Sequence, residues 1–249
     1  MCGRFVVAGA SSDLVALFDV DLPADELPGP SWNVAPTDRV PIVLDALPKD
    51  PLDEPPVRRL EAARWGLVPS WAKELKTGVT AINARIETLT EKRHFSTAVR
   101  KRRALVPATG YYEWHTTAEG KTPHFIHLPD GELFVFAGLY EWWRNHAAGD
   151  DSSDKWVLST TIITREATGA LRRIHDRMPV FLAPELIDDW LDPRENDPTA
   201  LLDAISVGGV EIAERTRSHE VGRAVGNVRN NSPELIEPVG NHSTGPTHQ

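Results

Sequence analysis

The sequence predicts an α+β fold: a single domain with a mostly antiparallel, barrel-like sheet flanked by helices. Many short runs rich in Val, Ile, Phe, Trp and Thr are bounded by Pro, Gly or Asp, as is typical of strands. Fewer segments place apolar residues at helical spacing. Strands and helices do not alternate regularly, as they would in a parallel βαβ protein. The 249 residues are enough for a substantial hydrophobic core.

The predicted strands are short and spread over most of the chain. Each is a run of β-branched and aromatic residues that ends at a turn-forming residue. No repeat at a solenoid or propeller period connects them. They lie at 40–44, 103–108, 124–128, 133–143 and 155–163.

Four segments predict helices. Ser and Asp residues cap the start of 11–20, and Pro184 stands in the first turn of 184–192. The other two segments are 94–102 and 164–174.

Two polar segments, 45–59 and 144–155, predict loops that are too short to be domain linkers. We therefore assign residues 1–238 to one domain and expect 239–249 to form a disordered tail.

The composition excludes several protein classes. A single cysteine excludes an intrachain disulfide framework and a multi-cysteine zinc site, and the nine histidines lack ligand spacing. We therefore expect no metal and no cofactor. No run of 18 apolar residues and no signal peptide is present, so the sequence predicts a cytoplasmic protein, nucleoid-associated in a prokaryote, with no membrane partner.

The charge is unevenly distributed. There are 27 Lys and Arg against 36 Asp and Glu, a net charge of −9 that argues against nucleic acid as a partner. The acids concentrate in 13–61 and 185–203, however, and the bases in 92–103 and 215–229. A local basic face can still bind phosphates, because salt screens distant charges within about 8–10 Å.

Cys2 carries the most specific chemistry in the sequence. Removal of Met1 leaves a cysteine whose α-amine and thiol are joined by two carbons. The amine can condense with an aldehyde to an imine, and the thiol can close on the imine carbon to form a thiazolidine. The second step is intramolecular and gains a high effective molarity. We expect the neighbouring Arg4 to supply an electropositive setting that lowers the thiol pKa.

Isolated polar residues stand in otherwise apolar motifs elsewhere in the chain. Glu113 lies between aromatic residues and is a candidate acid or base with a pKa raised by desolvation. His175 is a candidate proton shuttle. Asn33 and Asn83 can each orient a nucleophile or cap a turn, and each of these residues alone also fits a structural role.

Together, these motifs resemble the SRAP family (SOS-response-associated peptidase). The resemblance is carried by MCGRF, WNVAPT, WGLVPSW, NARIET, GYYEW, IHDRMP and RAVGNVRN, in the family's order from Cys2 to about Pro238. It implies a mixed α/β fold around a barrel-like sheet. It also implies that the protein senses abasic sites in single-stranded DNA and attaches to them covalently through the N-terminal cysteine.

The resemblance implies four catalytic residues. Cys2 would form the thiazolidine with the ring-opened deoxyribose, and Asn83 would orient the Cys2 amine and the sugar. Glu113 would act as acid and base in ring opening and imine formation. His175 would move a proton at the sugar oxygen.

Five further residues would bind DNA. Arg4 and Arg85 would hold the phosphates that flank the lesion. Trp71 and Trp114 would stack on or wedge against bases. Thr164 matches a family position near the phosphate or the sugar.

Alternatives remain open at this point. The Cys2 thiol could attack an amide carbonyl with its own amine as base, which would make the protein an N-terminal-nucleophile peptidase or amidohydrolase. A non-catalytic single-strand-binding protein would use the basic segments and the tryptophans alone. Abasic single-stranded DNA is the expected partner, and the protein is expected to be a monomer.

Overall fold

The computed structural model describes residues 2–48, 54–76 and 81–240. Its centre is a closed barrel of five strands, in the order β5–β4–β7–β10–β11, with β11 returning to β5. The barrel strands are β4 (Arg39–Ala46), β5 (Val57–Trp65), β7 (Arg103–Ala108), β10 (Phe134–Arg144) and β11 (Trp156–Glu166).

The barrel is antiparallel except at its seam. There β5 and β11 run parallel, with Arg64 opposite Ser159 and Trp65 opposite Thr160. Gly66 follows with a φ of +126° and donates its N–H to the Thr160 carbonyl at 2.8 Å. A residue with a side chain is strained at this φ, so glycine suits the end of the seam.

Short strands extend the barrel around β5 and β11. Strand β6 (Asn83–Arg85) pairs parallel with β11, and β12 (Arg177–Pro179) pairs antiparallel with the end of β11. Strand β2 (Leu22–Pro23) lies parallel on β5. Strand β11 therefore brings the motifs NARIET and IHDRMP to one place.

A second sheet packs on the barrel. It has the strand order β13–β9–β8–β1–β3. Its strands are β1 (Arg4–Val7), β3 (Ser31–Val34), β8 (Gly110–Thr117), β9 (Gly120–His127) and β13 (Arg217–Glu220). The N-terminal strand β1 lies between β3 and β8, so the chain's first residues are held inside this sheet and not at its edge.

The hydrophobic core has two main parts, because alternate residues of a strand face opposite ways. In β7, Ala104 and Val106 face the second sheet in a cluster that includes Cys2, Trp65 and Tyr111. Neighbouring barrel residues pack in another cluster against the helices. That cluster includes Leu105, Leu14, Val99, Trp190 and Ile205.

The helices are few. The α-helices are α1 (Ser11–Leu17), α2 (Ala98–Lys101), α3 (Ile187–Leu191) and α4 (Pro198–Arg215). Short 3-10 helices lie at 86–88, 129–131, 153–155, 169–173, 184–186, 223–226 and 233–236.

The longest helix, α4, was not predicted from the sequence. Asp197 caps it by accepting the Thr199 N–H at 3.0 Å, and Pro198 occupies its first turn. Two adjacent glycines interrupt its apolar pattern. Gly209 is required by packing, since a Cβ there would lie 2.6 Å from the Phe181 carbonyl oxygen.

The predicted fold class is confirmed: a single α+β domain around a mostly antiparallel barrel. Two helix predictions need correction. Strand β11 continues to Glu166, so 164–174 is strand followed by the 3-10 helix 169–173, and only 98–101 of the predicted helix 94–102 is α-helical. The segment 144–155 joins β10 to β11. Of the predicted tail, residues 241–249 lie outside the described ranges.

Candidate active site around the N-terminal cysteine

Cys2 is separated from β1 only by Gly3 and is fully buried. Burial raises the pKa of its thiol, and the charge of Glu113 raises it further. The Arg4 guanidinium is not among the groups that shift this pKa; Arg4 lowers it only through a backbone contact, which is a smaller effect than burial. The Arg4 guanidinium bonds to groups on other segments, as described below. The thiol is accordingly held in its protonated form.

Asn83, the first residue of β6, fixes the position of Cys2. Its Nδ2 donates a hydrogen bond to the Cys2 carbonyl oxygen at 2.7 Å. Its Oδ1 is buried and has no hydrogen-bond partner within the described ranges. A buried amide oxygen of this kind is available to accept a bond from an amine or a substrate hydroxyl.

Glu113 lies on β8, two residues beyond Tyr111 and on the same face of the strand. Tyr111 packs in the cluster that contains Cys2. Glu113 is 3% exposed, and burial raises the pKa of its carboxyl, while the charge of His175 opposes that effect. The prediction of a raised pKa through desolvation is confirmed in direction.

His175 follows the 3-10 helix 169–173 and is half-buried. Its Nδ1 lies 2.7 Å from Oδ1 of Asp176 and accepts the backbone N–H of Arg177 at 2.9 Å. Its charge acts on the Glu113 carboxyl, so the two groups lie within electrostatic range of each other. Four predicted residues thus come together: Cys2 with Asn83, Cys2 with Glu113, and Glu113 with His175.

The Arg4 guanidinium forms hydrogen bonds within the protein that join distant segments of the chain. Its Nη1 donates to Asn33 Oδ1 and to the Val225 carbonyl, both at 2.9 Å. Asn33 in turn donates from Nδ2 to the carbonyls of Val225, Asn227 and Asn230, at distances of 3.3, 3.0 and 2.8 Å. Arg4 on β1 and Asn33 on β3 therefore bind the segment that carries RAVGNVRN to these two strands of the second sheet.

Arg85 and Thr164 are register partners in the β6–β11 pair. Arg85 is exposed at the end of β6 and forms no ion pair with any described residue. Its guanidinium is therefore open to an anion. Thr164 is fully buried, and its Oγ1 donates to the Ala84 carbonyl at 3.5 Å. This places Thr164 behind β6, where it supports the strand that holds Asn83 and Arg85.

The two tryptophans lie in different environments. Trp71 is 44% exposed, with the Arg93 guanidinium carbon 4.6 Å from its ring centroid and the His94 ring in edge contact. Trp114 is partly buried on the face of β8 opposite Glu113, where it packs with Tyr112. Trp71 is thus partly exposed beside Arg93 and His94, whereas Trp114 packs on the outer side of the second sheet.

The basic segment 92–103 is only partly exposed. Arg103 is buried, where its guanidinium donates to backbone carbonyls that include Trp190. Arg102 pairs with Glu141 at 2.7 Å. The exposed bases are Lys92, Arg93, Arg100 and Lys101. The local charge is therefore smaller than the sequence alone indicates.

Neither a metal site nor a membrane span is found among the described residues. Within residues 2–48, 54–76 and 81–240, no three His, Cys, Asp or Glu side chains lie close enough together to hold a metal ion. No helix in the described part of the chain is both long and apolar enough to cross a membrane.

The sequence matches one known protein family over most of its length. The family described as SOS response associated peptidase (SRAP) matches residues 1–228.

The chain belongs to the SRAP family.

Several proteins resemble this SRAP chain over most of its length. It is 38% identical over 240 residues to the abasic site processing protein YoqW of Bacillus subtilis, covering 95% of this chain and 99% of that protein. It is 32% identical over 243 residues to the abasic site processing protein YedK of Escherichia coli, covering 96% and 100%. The abasic site processing protein HMCES of Xenopus tropicalis is 32% identical over 232 residues, covering 84% and 66%.

Solved structures share the SRAP fold seen here. A protein from Bacteroides thetaiotaomicron superposes with a TM-score of 0.75, at 20% identity, over 95% of this chain and 99% of that one. A phage-related protein from Bordetella bronchiseptica gives a TM-score of 0.64, at 27% identity, over 89% and 95%.

Sequence reasoning missed one feature of this SRAP site. Arg177 forms a double ion pair with Glu87, with Nη1–Oε1 at 2.7 Å and Nη2–Oε2 at 3.0 Å, and Nη2 also donates to the Thr164 carbonyl. The pair joins the segment that carries His175 to the 3-10 helix that follows β6. The partners are 90 residues apart, so no local pattern could reveal the contact.

Proposed function

We propose that this protein, after removal of Met1, senses abasic sites in single-stranded DNA and attaches to them covalently through a thiazolidine ring at Cys2. The observation that carries the proposal is the fixed position of Cys2. Its carbonyl is bound by Asn83, and its thiol lies within electrostatic reach of Glu113. The names of the relatives, which are abasic site processing proteins, point to the same lesion.

The first step joins nitrogen to carbon. An abasic site exchanges between a closed hemiacetal and an open aldehyde. The neutral α-amine of Cys2 attacks the aldehyde carbon, the carbonyl oxygen leaves as water after gaining protons, and an imine remains. His175 and Glu113 are the groups proposed to move these protons, a task worth about 10²–10⁴-fold for each group.

The second step closes the ring. The Cys2 sulfur adds to the imine carbon, and the thiol proton moves to the imine nitrogen, so no other reactant is needed. Because burial keeps the thiol protonated, a base must take this proton. The carboxylate form of Glu113 can do so, and its raised pKa makes it a better base than an exposed carboxylate.

Ring closure explains why both nucleophiles stand on one residue. A free imine or iminium acidifies the neighbouring sugar carbon and promotes strand scission by β-elimination. The thiazolidine has no C=N bond and therefore shields the strand. The same burial disfavours a thiol peptidase, which needs an activated thiolate.

DNA is proposed to approach from the side of Arg85. This exposed guanidinium would hold a phosphate near the lesion, and Trp71 would stack on a base. Each step uses residues of one chain, so a monomer suffices. The proposed place of action is where the chromosome lies, which in a prokaryote is the nucleoid in the cytoplasm.

Adduct formation tests the proposal directly. Wild-type protein, with loss of Met1 checked by intact mass, should give an SDS-resistant adduct with single-stranded DNA carrying an abasic site. Cys2→Ala should give no stable adduct. Cys2→Ser, like Cys2→Ala, keeps the amine and loses the thiol, so each should give an adduct only when borohydride traps the imine.

A tetrahydrofuran analogue of the abasic site provides the matched control. It has the shape of the lesion but no aldehyde, so it should bind without forming an adduct. A stable adduct with the analogue, or an undiminished adduct with Cys2→Ala, would show that the proposal is wrong.

A further inference from the structure

We propose that Asp176 is a positioning residue that selects the tautomer of His175 able to accept a proton in the reaction. This rests on the proposed function, because it concerns the proton transfer assigned to His175. The observation is that two groups of opposite character meet at one atom of the imidazole, Nδ1.

The two contacts at Nδ1 require different protonation states. The N–H of Arg177 donates to Nδ1 at 2.9 Å, which requires Nδ1 to carry no proton. The carboxylate of Asp176 lies 2.7 Å from the same atom and can bond to it only when Nδ1 carries a proton. The surroundings of His175 therefore stabilise two forms of the ring without any change in its place.

The state of Nδ1 decides the state of Nε2. When Asp176 holds the proton on Nδ1, a neutral ring has a lone pair on Nε2 and can accept a proton there. When the N–H of Arg177 binds Nδ1, a neutral ring carries its proton on Nε2 and cannot act as a base at that atom. Only the form held by Asp176 can open the hemiacetal by taking its hydroxyl proton.

His175 then takes up and returns one proton at Nε2, while its Nδ1 proton stays bonded to Asp176. Nε2 takes the hydroxyl proton, and the resulting imidazolium keeps its Nδ1 proton on the carboxylate of Asp176. As the bond from C1′ to the ring oxygen breaks, the imidazolium gives the Nε2 proton to that ring oxygen, which becomes the free 4′-hydroxyl. His175 ends in the form in which it began, and the proton count balances.

The frame around His175 is fixed independently of the Asp176 carboxylate. The Arg177 side chain is tied to Glu87, and the Asp176 carbonyl accepts the Ala167 N–H at 2.8 Å. The Asp176 carboxylate itself is 84% exposed. Its removal should therefore leave the fold and the Arg177 contact in place and change only the preferred tautomer. The other charged groups acting here are Glu113, from β8, and the Arg177–Glu87 pair.

The test compares Asp176→Asn with wild type by nitrogen NMR of the histidine rings, with His175→Gln to assign the signal. Above the pH at which the ring becomes neutral, we expect His175 to move from the Nδ1–H form toward the Nε2–H form. Adduct formation with abasic single-stranded DNA should slow by at least about tenfold, part of the usual 10²–10⁴-fold of such a proton transfer.

Controls separate this role from a structural one. Asp189→Asn changes an exposed acid on α3 and should alter neither readout. Asp176→Glu should restore part of the rate. An unchanged tautomer in Asp176→Asn, or an unchanged rate despite a changed tautomer, would overturn the inference. If wild type itself forms no adduct, the proposed function fails, and the NMR result still decides the tautomer.

Discussion

Asn83 donates a hydrogen bond from Nδ2 to the carbonyl oxygen of Cys2 at 2.7 Å, across 81 residues of sequence. The bond joins Cys2, which only Gly3 separates from β1, to β6, and β6 is itself paired with the barrel strand β11. The nucleophile is therefore held by both the barrel and the second sheet. A hydrogen bond to the carbonyl leaves the α-amine and the thiol of the same residue for chemistry.

Asn83→Ala should slow adduct formation by at least about tenfold and lower the free energy of unfolding by about 1 kcal/mol, the usual size of one hydrogen bond. The Cys2 carbonyl would lose its donor, and the amine would lose a fixed direction of attack. The measurements are the adduct rate at saturating DNA and chemical denaturation. Asn145→Ala, in the connection between β10 and β11, is the control. Equal rates of adduct formation for the two variants would show that Asn83 has no role in the reaction.

Glu113→Gln should slow adduct formation by about 10²–10⁴-fold while DNA binding persists.

The free energy of unfolding of the wild-type protein should also depend on pH, in a direction set by Glu113. Because burial raises the pKa of Glu113 in the folded protein, the stabilisation it provides is present at acidic pH and is lost as the pH rises through the folded-state pKa.

Gln stays neutral, so the unfolding free energy of Glu113→Gln relative to wild type should increase from acidic to alkaline pH. Denaturant unfolding at several pH values measures this difference. A relative stability that decreases with pH would mean that the carboxylate, not the acid, is the form that the fold favours.

Arg85→Ala should weaken binding to single-stranded DNA and reduce the slope of log K against log salt by about 0.7, the value for one phosphate contact on a single strand. The exposed guanidinium at the end of β6 is the reason. Arg144→Ala, at the end of β10, is the matched loss of an exposed arginine. If both variants change the slope equally, the change comes from the loss of one positive charge at any place and not from a phosphate contact of Arg85.

Arg4→Ala should act mainly on the fold. Its guanidinium bonds to Asn33 and to the Val225 carbonyl, and bonds from a charged group are worth about 1.5–3 kcal/mol. We expect a loss of that size in unfolding free energy and faster hydrogen exchange in 223–230. Arg39→Ala, an exposed arginine on β4, should change neither. Protection of 223–230 that stays the same in Arg4→Ala would contradict this role.

Local patterns predicted much of the fold. The run 103–108 forms β7, as predicted, because a short continuous run of β-branched and apolar residues bounded by turn residues is typical of a buried strand. The helix α4 was not predicted, because Gly208 and Gly209 weaken its apolar pattern. Gly209 is required by the close approach of the Phe181 backbone, which is a tertiary contact that the local sequence does not show.

The candidate site was less accessible to sequence reasoning than the fold. The nearness of Cys2, Asn83, Glu113 and His175 was implied by resemblance and not by spacing. The Arg4 guanidinium was expected to act on the thiol, but it bonds to backbone carbonyls that lie 221 and 222 residues away. Contacts across such distances depend on strand order, which residue patterns do not encode.

The tie between Arg4 and the carbonyls of 225–226 has a consequence for synthesis of the chain. The nucleophile is synthesised well before the carbonyls that fasten its strand, which lie 221 and 222 residues beyond Arg4. At about 5–20 residues per second, the two segments are separated by many seconds of translation. A nascent or truncated chain that ends before residue 223 carries the cysteine but lacks the carbonyls that hold its strand.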